Sequence, residues 1–87
     1  MYLAEVKGNV VASTKDEHLV GKKLLIVQPI DPFFIPYGQP SVVVDTVGAG
    51  FSDRVLVSKG SSAGSLFEGK SPIDAAIVAI IDSLEMY

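Results

Sequence analysis

Apolar and polar residues alternate along the first part of the chain, which is the period of a β-strand. One face of this pattern is mostly apolar and comprises Tyr2, Ala4, Val6, Gly8, Val10 and Ala12. The pattern predicts a long half-buried strand over residues 2–13. Gly8 lies inside that strand, and we expect a bend there, as at the corner of a barrel.

The second predicted strand, Leu24 to Val27, is apolar at every position. An antiparallel strand with one wet face would alternate, so both faces of this strand are expected to be covered. It is either a barrel wall beneath another element or part of a subunit interface. The polar stretch 13–23, which contains Gly21, is predicted to be a loop.

Prolines interrupt residues 29–40, and because proline lacks an N–H donor this segment is predicted to be a loop. The loop is unusually apolar through four of its residues: Phe33, Phe34, Ile35 and Tyr37. One interpretation is that these side chains fold back onto the barrel. The other is that they form a contact surface for a neighbouring protein.

Two further apolar runs, residues 42–47 and 55–58, flank Gly48 and Gly50. Glycine adopts positive φ without a Cβ clash, so this spacing predicts a tight turn and a β-hairpin. Residues 61–67 are predicted to make one short helical turn, and residues 69–71 a further turn.

The last stretch is ambiguous from its pattern alone. Ser71-Pro72-Ile73-Asp74 is typical of a helix start. The crowded β-branched residues at positions 77–81 favour a strand instead.

The 87 residues are expected to form a single domain, 1–87. A domain of this size buries only about 60% of its unfolded surface. Yet 48% of the residues are hydrophobic and the mean hydropathy is +0.41. No apolar run approaches the roughly 18 residues of a membrane span, and the N-terminus lacks a signal-peptide layout. The surplus apolar surface is therefore expected to meet other chains, most simply in a homo-oligomer.

Charge and residue types argue against several chemistries. The net charge is −3 and no Lys/Arg cluster is present, which disfavours nucleic-acid binding. Without cysteine there is no disulfide framework and no thiolate zinc site. The single histidine, His18, is interpreted as a surface residue rather than a ligand, because the sequence supplies no visible partners for a metal.

Two motif matches fail a physical test. Residues 64–71 match the phosphate-binding pattern G-x-x-x-x-G-K-[ST], but residues 59–63 separate them from the preceding strand, and Pro72 removes an N–H from the first turn. Residues 60–64 match the nucleophile elbow G-x-S-x-G, which needs a histidine, an acid and a large sheet. We expect Ser61 and Ser62 to cap a turn instead.

The carboxylates Asp45 and Asp53 flank the glycine turn. Acid–base catalysis would require a cleft and contrasting environments for the two groups. A salt bridge to Arg54 or to a neighbouring subunit is the expected role. No catalytic, cofactor-binding or metal-binding residue is predicted.

Three segments together resemble the EutN/CcmL family of bacterial microcompartment vertex proteins: Asp45-Thr46-Val47-Gly48-Ala49-Gly50, Gly60-Ser61-Ser62-Ala63, and Asp74 to Asp82. The resemblance runs through nearly the whole chain, beginning at Met1-Tyr2-Leu3-Ala4. It implies an all-β fold: a small five-stranded barrel resembling an oligonucleotide-binding fold, with a short helical turn and its last strand in the final stretch. It also implies a homo-pentamer that assembles with hexameric and trimeric shell proteins in the microcompartment shell, without catalysis, cofactor, nucleic acid or membrane.

The resemblance also implies where the subunit interface or ring axis lies: Asp45, Gly48, Ala49, Gly50, Gly60, Ser61, Ser62 and Ala63. We expect Asp53, beside the glycine turn, to lie there too. We expect the Gly48–Gly50 turn to pack closely there, so that Gly48→Val or Ala49→Trp would weaken ring assembly more than folding. The alternative is a turn within one chain.

The chain departs from the family pattern at two places. Ser52 and Asp53 stand where glycine and glutamate are usual, and Gly64 stands where arginine is common. The segment Phe33-Phe34-Ile35 is particular to this chain and is expected to tune its fit to its own shell. The alternative function is a monomeric or dimeric barrel that binds a small ligand or a protein, which should not expose the runs 24–27 and 42–44.

Overall fold

The computed structural model describes residues 1–60 and 73–87, and these residues form an all-β structure. The five strands are β1 (Tyr2–Val10), β2 (Lys23–Pro29), β3 (Ser41–Asp45), β4 (Arg54–Lys59) and β5 (Ala75–Ile80). The predicted short helical turn at 61–67 and the turn at 69–71 lie outside the described residues. No helix in the described part of the chain is long and apolar enough to cross a membrane.

The strands close into a barrel in the order β1-β2-β3-β5-β4, which confirms the predicted fold class. Every neighbouring pair is antiparallel except β3 and β5, which run parallel. Strand β5 settles the ambiguity of the last stretch in favour of the strand, as the family resemblance implies. Closure leaves no free sheet edge among these strands, which suits so apolar a chain.

The predicted hairpin between residues 42–47 and 55–58 is wrong. Strand β3 pairs with β2 and β5, whereas β4 pairs with β1 and β5. Strand β5 therefore lies between the two expected partners, and residues 46–53 cross from one part of the barrel to another. A sequence pattern can indicate a local chain reversal. It does not indicate that a strand distant in sequence pairs between the two expected partners.

Strand β1 is long because it serves two neighbours. Its first part, Tyr2 to Glu5, pairs with β4, and the longer part from Ala4 to Val10 pairs with β2. A register shift between Val6 and Gly8 interrupts the pairing with β2. This irregularity in the strand pairing lies where a bend was predicted, at Gly8, and the strand ends at Val10 rather than at residue 13.

The barrel interior is filled with side chains. The core comprises Ala4, Val6, Leu25, Val27, Val43, Ala49, Val55, Val57, Ala75 and Ile77. In β2, Leu25 and Val27 are buried, while Leu24 and Ile26 are partly covered on the other face.

Candidate functional site

The segment that carries most of the predicted interface residues, residues 45–53, is called the interface turn from here on. Its first residue, Asp45, organises it. One carboxylate oxygen of Asp45 accepts the N–H of Val47 at 3.0 Å, and the other accepts the N–H of Ala49 at 2.9 Å. The Asp45 side chain is only 1% exposed. Such a local side-chain acceptor gives the backbone partners that the barrel ladder does not supply.

Lys23 completes this arrangement from the neighbouring strand. The β2–β3 register places Lys23 opposite Asp45, and the Lys23 Nζ lies 3.3 Å from the Asp45 Oδ2. The same ammonium group donates to the carbonyl oxygen of Ala49. The predicted salt bridge of Asp45 to Arg54 is therefore wrong. Asp45 supports the interface turn from inside the chain.

The second predicted carboxylate, Asp53, holds the other end of the interface turn. Its Oδ2 accepts the N–H of Gly50 at 2.8 Å, and its backbone N–H donates to the Gly50 carbonyl at 3.0 Å. The Ser52 N–H and the Asp53 carbonyl bond to Val6 of β1 at 2.9 Å each. These bonds fix the interface turn on the barrel wall.

The three central residues of the interface turn differ in what they require. Gly48 has φ of 83°, a conformation that L side chains rarely adopt. Ala49 is fully buried in the core. Gly50 is exposed and does not have positive φ, and a Cβ built there would meet nothing closer than the Asp53 Oδ2 at 3.8 Å. Gly48→Val and Ala49→Trp would therefore disturb the single chain itself, contrary to our expectation.

The outer surface of the interface turn is largely apolar. Phe51 is 74% exposed and Val47 is also exposed, with Gly48 and Gly50 between them. The N–H groups of Val47, Ala49 and Gly50 are already bonded within the chain. This surface can pack against protein without leaving those polar groups unsatisfied.

The second predicted site, residues 31–37, is called the aromatic loop from here on. Asp31 organises it much as Asp45 organises the interface turn. The Asp31 Oδ1 accepts the N–H groups of Phe33 and Ile35 at 2.8 and 3.0 Å. The backbone of Asp31 also donates to the Ile35 carbonyl and accepts from the Phe34 N–H.

The side chains of the aromatic loop point largely into solvent. Phe33 is 70% exposed, Ile35 58% and Tyr37 52%. The interpretation that these residues fold back onto the barrel is wrong for all three. Phe34 differs, because the Arg54 guanidinium lies 3.6 Å from the centroid of its ring. This is the range of a cation–π contact.

Sequence reasoning missed Lys23 and Asp31, and it named Arg54 as a salt-bridge partner rather than as the partner of the Phe34 ring. For Asp31 a signal was present, because aspartate followed by proline is typical of turn initiation. For Lys23 and Arg54 no local signal exists, since their partners lie on strands or loops distant in sequence.

The remaining predicted residues are placed as follows. Gly60 has φ of 72° and donates to the Asp74 carbonyl at 2.7 Å. Ser61, Ser62 and Ala63 lie outside the described residues. His18 contacts the Asp16 carboxylate at 3.1 Å. Within residues 1–60 and 73–87, no group of three or more potential metal ligands comes together.

A family model described as ethanolamine utilisation protein EutN/carboxysome matches residues 1–82. The chain belongs to the EutN/CcmL family. Among the relatives, the bacterial microcompartment shell vertex protein GrpN of Rhodospirillum rubrum is 51% identical over 98% of this chain and 97% of its own length. The carboxysome shell vertex protein CcmL of Nostoc is 43% identical over 99% of this chain and 87% of its own length.

Solved structures of this family have the same fold. The structure of GrpN, a pentameric microcompartment shell protein from Rhodospirillum rubrum, matches with a TM-score of 0.92 and 49% identity, with all of both chains covered. The Nostoc CcmL structure matches with a TM-score of 0.88 and 44% identity over 97% of this chain and 92% of its own. The chain is thus a member of a family of microcompartment shell vertex proteins.

Proposed function

We propose that five copies of this chain close into a ring that occupies a vertex of a bacterial microcompartment shell. The observation that carries the proposal is the full-length likeness to the pentameric GrpN structure, at a TM-score of 0.92. At this similarity the barrel surfaces available for subunit contact are expected to be arranged alike.

The proposed mechanism is geometric. A flat sheet of hexagonal units cannot close, and a five-fold unit at a corner supplies the missing curvature. The ring itself repeats one heterologous contact, in which two different surfaces of the same chain meet, until rotation closes it. In this proposal the partners are hexameric and trimeric shell proteins, and the protein acts without catalysis.

The interface turn is proposed as one of the two ring surfaces. Its shape is fixed by bonds within the chain, so little conformational freedom is lost on association. Gly50 supports this role, since no contact within the described part of the chain requires a glycine there. An absent side chain lets another backbone approach closely. Gly60, Ser61, Ser62 and Ala63 are proposed to contribute to the same contact.

A monomeric or dimeric binding module is the alternative function. Such a module was expected to keep the runs 24–27 and 42–44 covered. Among these residues only Val42 is exposed. In the described part of the chain, six of the thirteen exposed large hydrophobic residues lie on the interface turn and the aromatic loop. Within residues 1–60 and 73–87 buried side chains fill the barrel interior, and no specific observation in that part of the chain favours the module.

Negative-stain electron microscopy of the purified chain tests the proposal. Class averages with five-fold rings are the expected result, and co-expression with a hexameric shell protein should then give closed shells that contain the ring. A six-fold ring would keep the family assignment but would contradict the corner geometry. Isolated barrels at all concentrations would contradict the ring.

A further inference from the structure

We propose that the aromatic loop together with Arg54 forms a preformed knob that docks each subunit onto a neighbouring shell protein. The partner surface is an apolar groove with a carboxylate at its edge. This inference rests on the proposed vertex function and names the contact through which the ring joins the shell. Its four contributing side chains are Phe33, Phe34, Ile35 and Arg54.

The knob is held in shape before it meets a partner. Asp31 accepts two N–H groups of the loop through one carboxylate oxygen, and an isolated bridge joins Ile30 to Pro36. Phe34 has φ of 66°, which is uncommon for a bulky residue and persists only where the surroundings enforce it. Phe33 and Ile35, on either side of Phe34, are thereby turned into solvent.

Arg54 gives the knob its polar character. Its guanidinium stacks on Phe34, and Arg54 is exposed at the start of β4. Within residues 1–60 and 73–87 no carboxylate forms an ion pair with it. A stacked guanidinium keeps its N–H edge available, and the geometry of that edge matches a carboxylate. An acidic side chain at the edge of the partner's groove would form an ion pair with the Arg54 guanidinium.

The size of the knob indicates which partner it fits. The apolar side chains of the knob, Phe33, Phe34 and Ile35, together expose on the order of 300 Å², well below the roughly 800 Å² per partner of a stable pair. A contact of this size does not hold two free chains together. Repeated five times around one ring, it gains from multivalency, and this argues for surrounding shell units rather than a second copy. Aromatic and arginine side chains are also enriched at interface hot spots.

The direct test is incorporation of the full chain into shells. The chain is co-expressed with a hexameric shell protein from the same organism, and its copies per purified shell are counted by quantitative mass spectrometry. The double variant Phe33→Ser/Ile35→Ser is expected to enter shells about tenfold less than the unmodified chain. Native mass spectrometry of the same variant is expected to show an unchanged five-subunit ring.

A matched control removes equal numbers of exposed apolar side chains elsewhere. Val11 and Val20 are both exposed and lie outside the aromatic loop. Val11→Ser/Val20→Ser is expected to enter shells at the level of the unmodified chain. Equal losses in the two double variants would overturn the proposal, because they would show a general dependence on surface hydrophobicity.

Two positioning variants separate shape from contact. Asp31→Ala removes the acceptor of two N–H groups and is expected to lower incorporation about threefold. Asp31→Asn keeps an acceptor oxygen and is expected to incorporate like the unmodified chain.

Arg54→Glu is expected to lower incorporation about tenfold, because the new carboxylate repels the partner's carboxylate. Restoration of Arg54→Glu by a compensating lysine on the hexameric protein would identify that carboxylate.

Two results would overturn the docking assignment. Normal incorporation of Phe33→Ser/Ile35→Ser would show that the knob is not a contact. Loss of the five-subunit mass in that variant would place the aromatic loop in the ring interface instead. Failure of the unmodified chain to form a five-subunit ring is a separate outcome, which would overturn the proposed function and the docking together.

Discussion

Lys23 and Asp45 face each other across the β2–β3 pair, with the ammonium nitrogen 3.3 Å from a carboxylate oxygen that is almost completely buried. The two side chains occupy different environments, since the Lys23 side chain is half exposed while that of Asp45 is 1% exposed. The buried partner also accepts two backbone N–H groups. The stability of the interface turn therefore depends much more on Asp45 than on Lys23.

Asp45→Ala is expected to lower the free energy of unfolding by about 2 kcal/mol, because it removes a buried charged acceptor and leaves the N–H groups of Val47 and Ala49 without their partner. Urea denaturation at a fixed protein concentration measures this change. Lys23→Ala is expected to cost no more than about 1 kcal/mol, since solvent screens a half-exposed ion pair.

Asp82 provides a matched control for the loss of a carboxylate, because it is exposed. Asp82→Ala is expected to change the free energy of unfolding by less than about 0.5 kcal/mol. Equal effects of the Asp45 and Asp82 substitutions would contradict the organising role of Asp45.

Gly50 is the most selective probe of the proposed ring contact. Among the described residues, a Cβ at position 50 would meet nothing closer than the Asp53 Oδ2 at 3.8 Å, and the backbone there does not have positive φ. The isolated barrel is therefore expected to tolerate Gly50→Leu. If another subunit packs there, the added side chain should raise the concentration for half-dissociation of the ring at least about tenfold. A dilution series followed by mass photometry measures that concentration.

Gly48→Ala separates folding from assembly. Its backbone has φ of 83°, so alanine is expected to cost about 1–2 kcal/mol in the barrel itself.

A Gly50→Leu protein that dissociates like the unmodified chain would show that the interface turn does not form the ring contact.

Ala49→Trp is expected to destabilise the barrel itself and not only the ring. Ala49 is fully buried in the core, and overpacking of a filled core costs about 1–3 kcal/mol or more. Circular dichroism and thermal denaturation should show a lowered melting temperature, with a larger loss than for Ala49→Ser. A folded, monomeric Ala49→Trp protein of unchanged stability would contradict this account.

Thr46 tests the parallel pair of strands that closes the barrel. Its hydroxyl donates to the carbonyl of Ile77 in β5, and the β3–β5 register includes only two residue pairs. Thr46→Val is expected to lower the free energy of unfolding by about 1 kcal/mol in urea denaturation. Ser13→Ala, which removes a hydroxyl at an exposed loop residue, serves as control and should stay within about 0.5 kcal/mol.

The pattern of residues predicted where strands form better than how they pair. Alternation in residues 2–10 and the apolar run 24–27 are local properties, and both strands are present. The hairpin between residues 42–47 and 55–58 was wrong because pairing depends on which strands compete for an edge. Strand β5 is last in sequence, yet it lies between β3 and β4. The family resemblance, rather than periodicity, identified β5 as a strand.

The candidate sites were located from sequence, but their internal supports were not. Two glycines and a run of aromatic residues indicated the interface turn and the aromatic loop. Lys23 and Arg54 support these segments, and each contacts a residue more than fifteen positions away in the chain. No local sequence motif therefore identifies them. The different demands at Gly48 and Gly50 became visible only from their backbone angles and surroundings.

The ring of five is the central claim, and native mass spectrometry of the unmodified chain over a concentration series tests it most directly. The account predicts a dominant five-subunit mass that persists on dilution until the ring dissociates into single barrels. A mass that remains that of one chain at every concentration, or a stable ring of six, would contradict it.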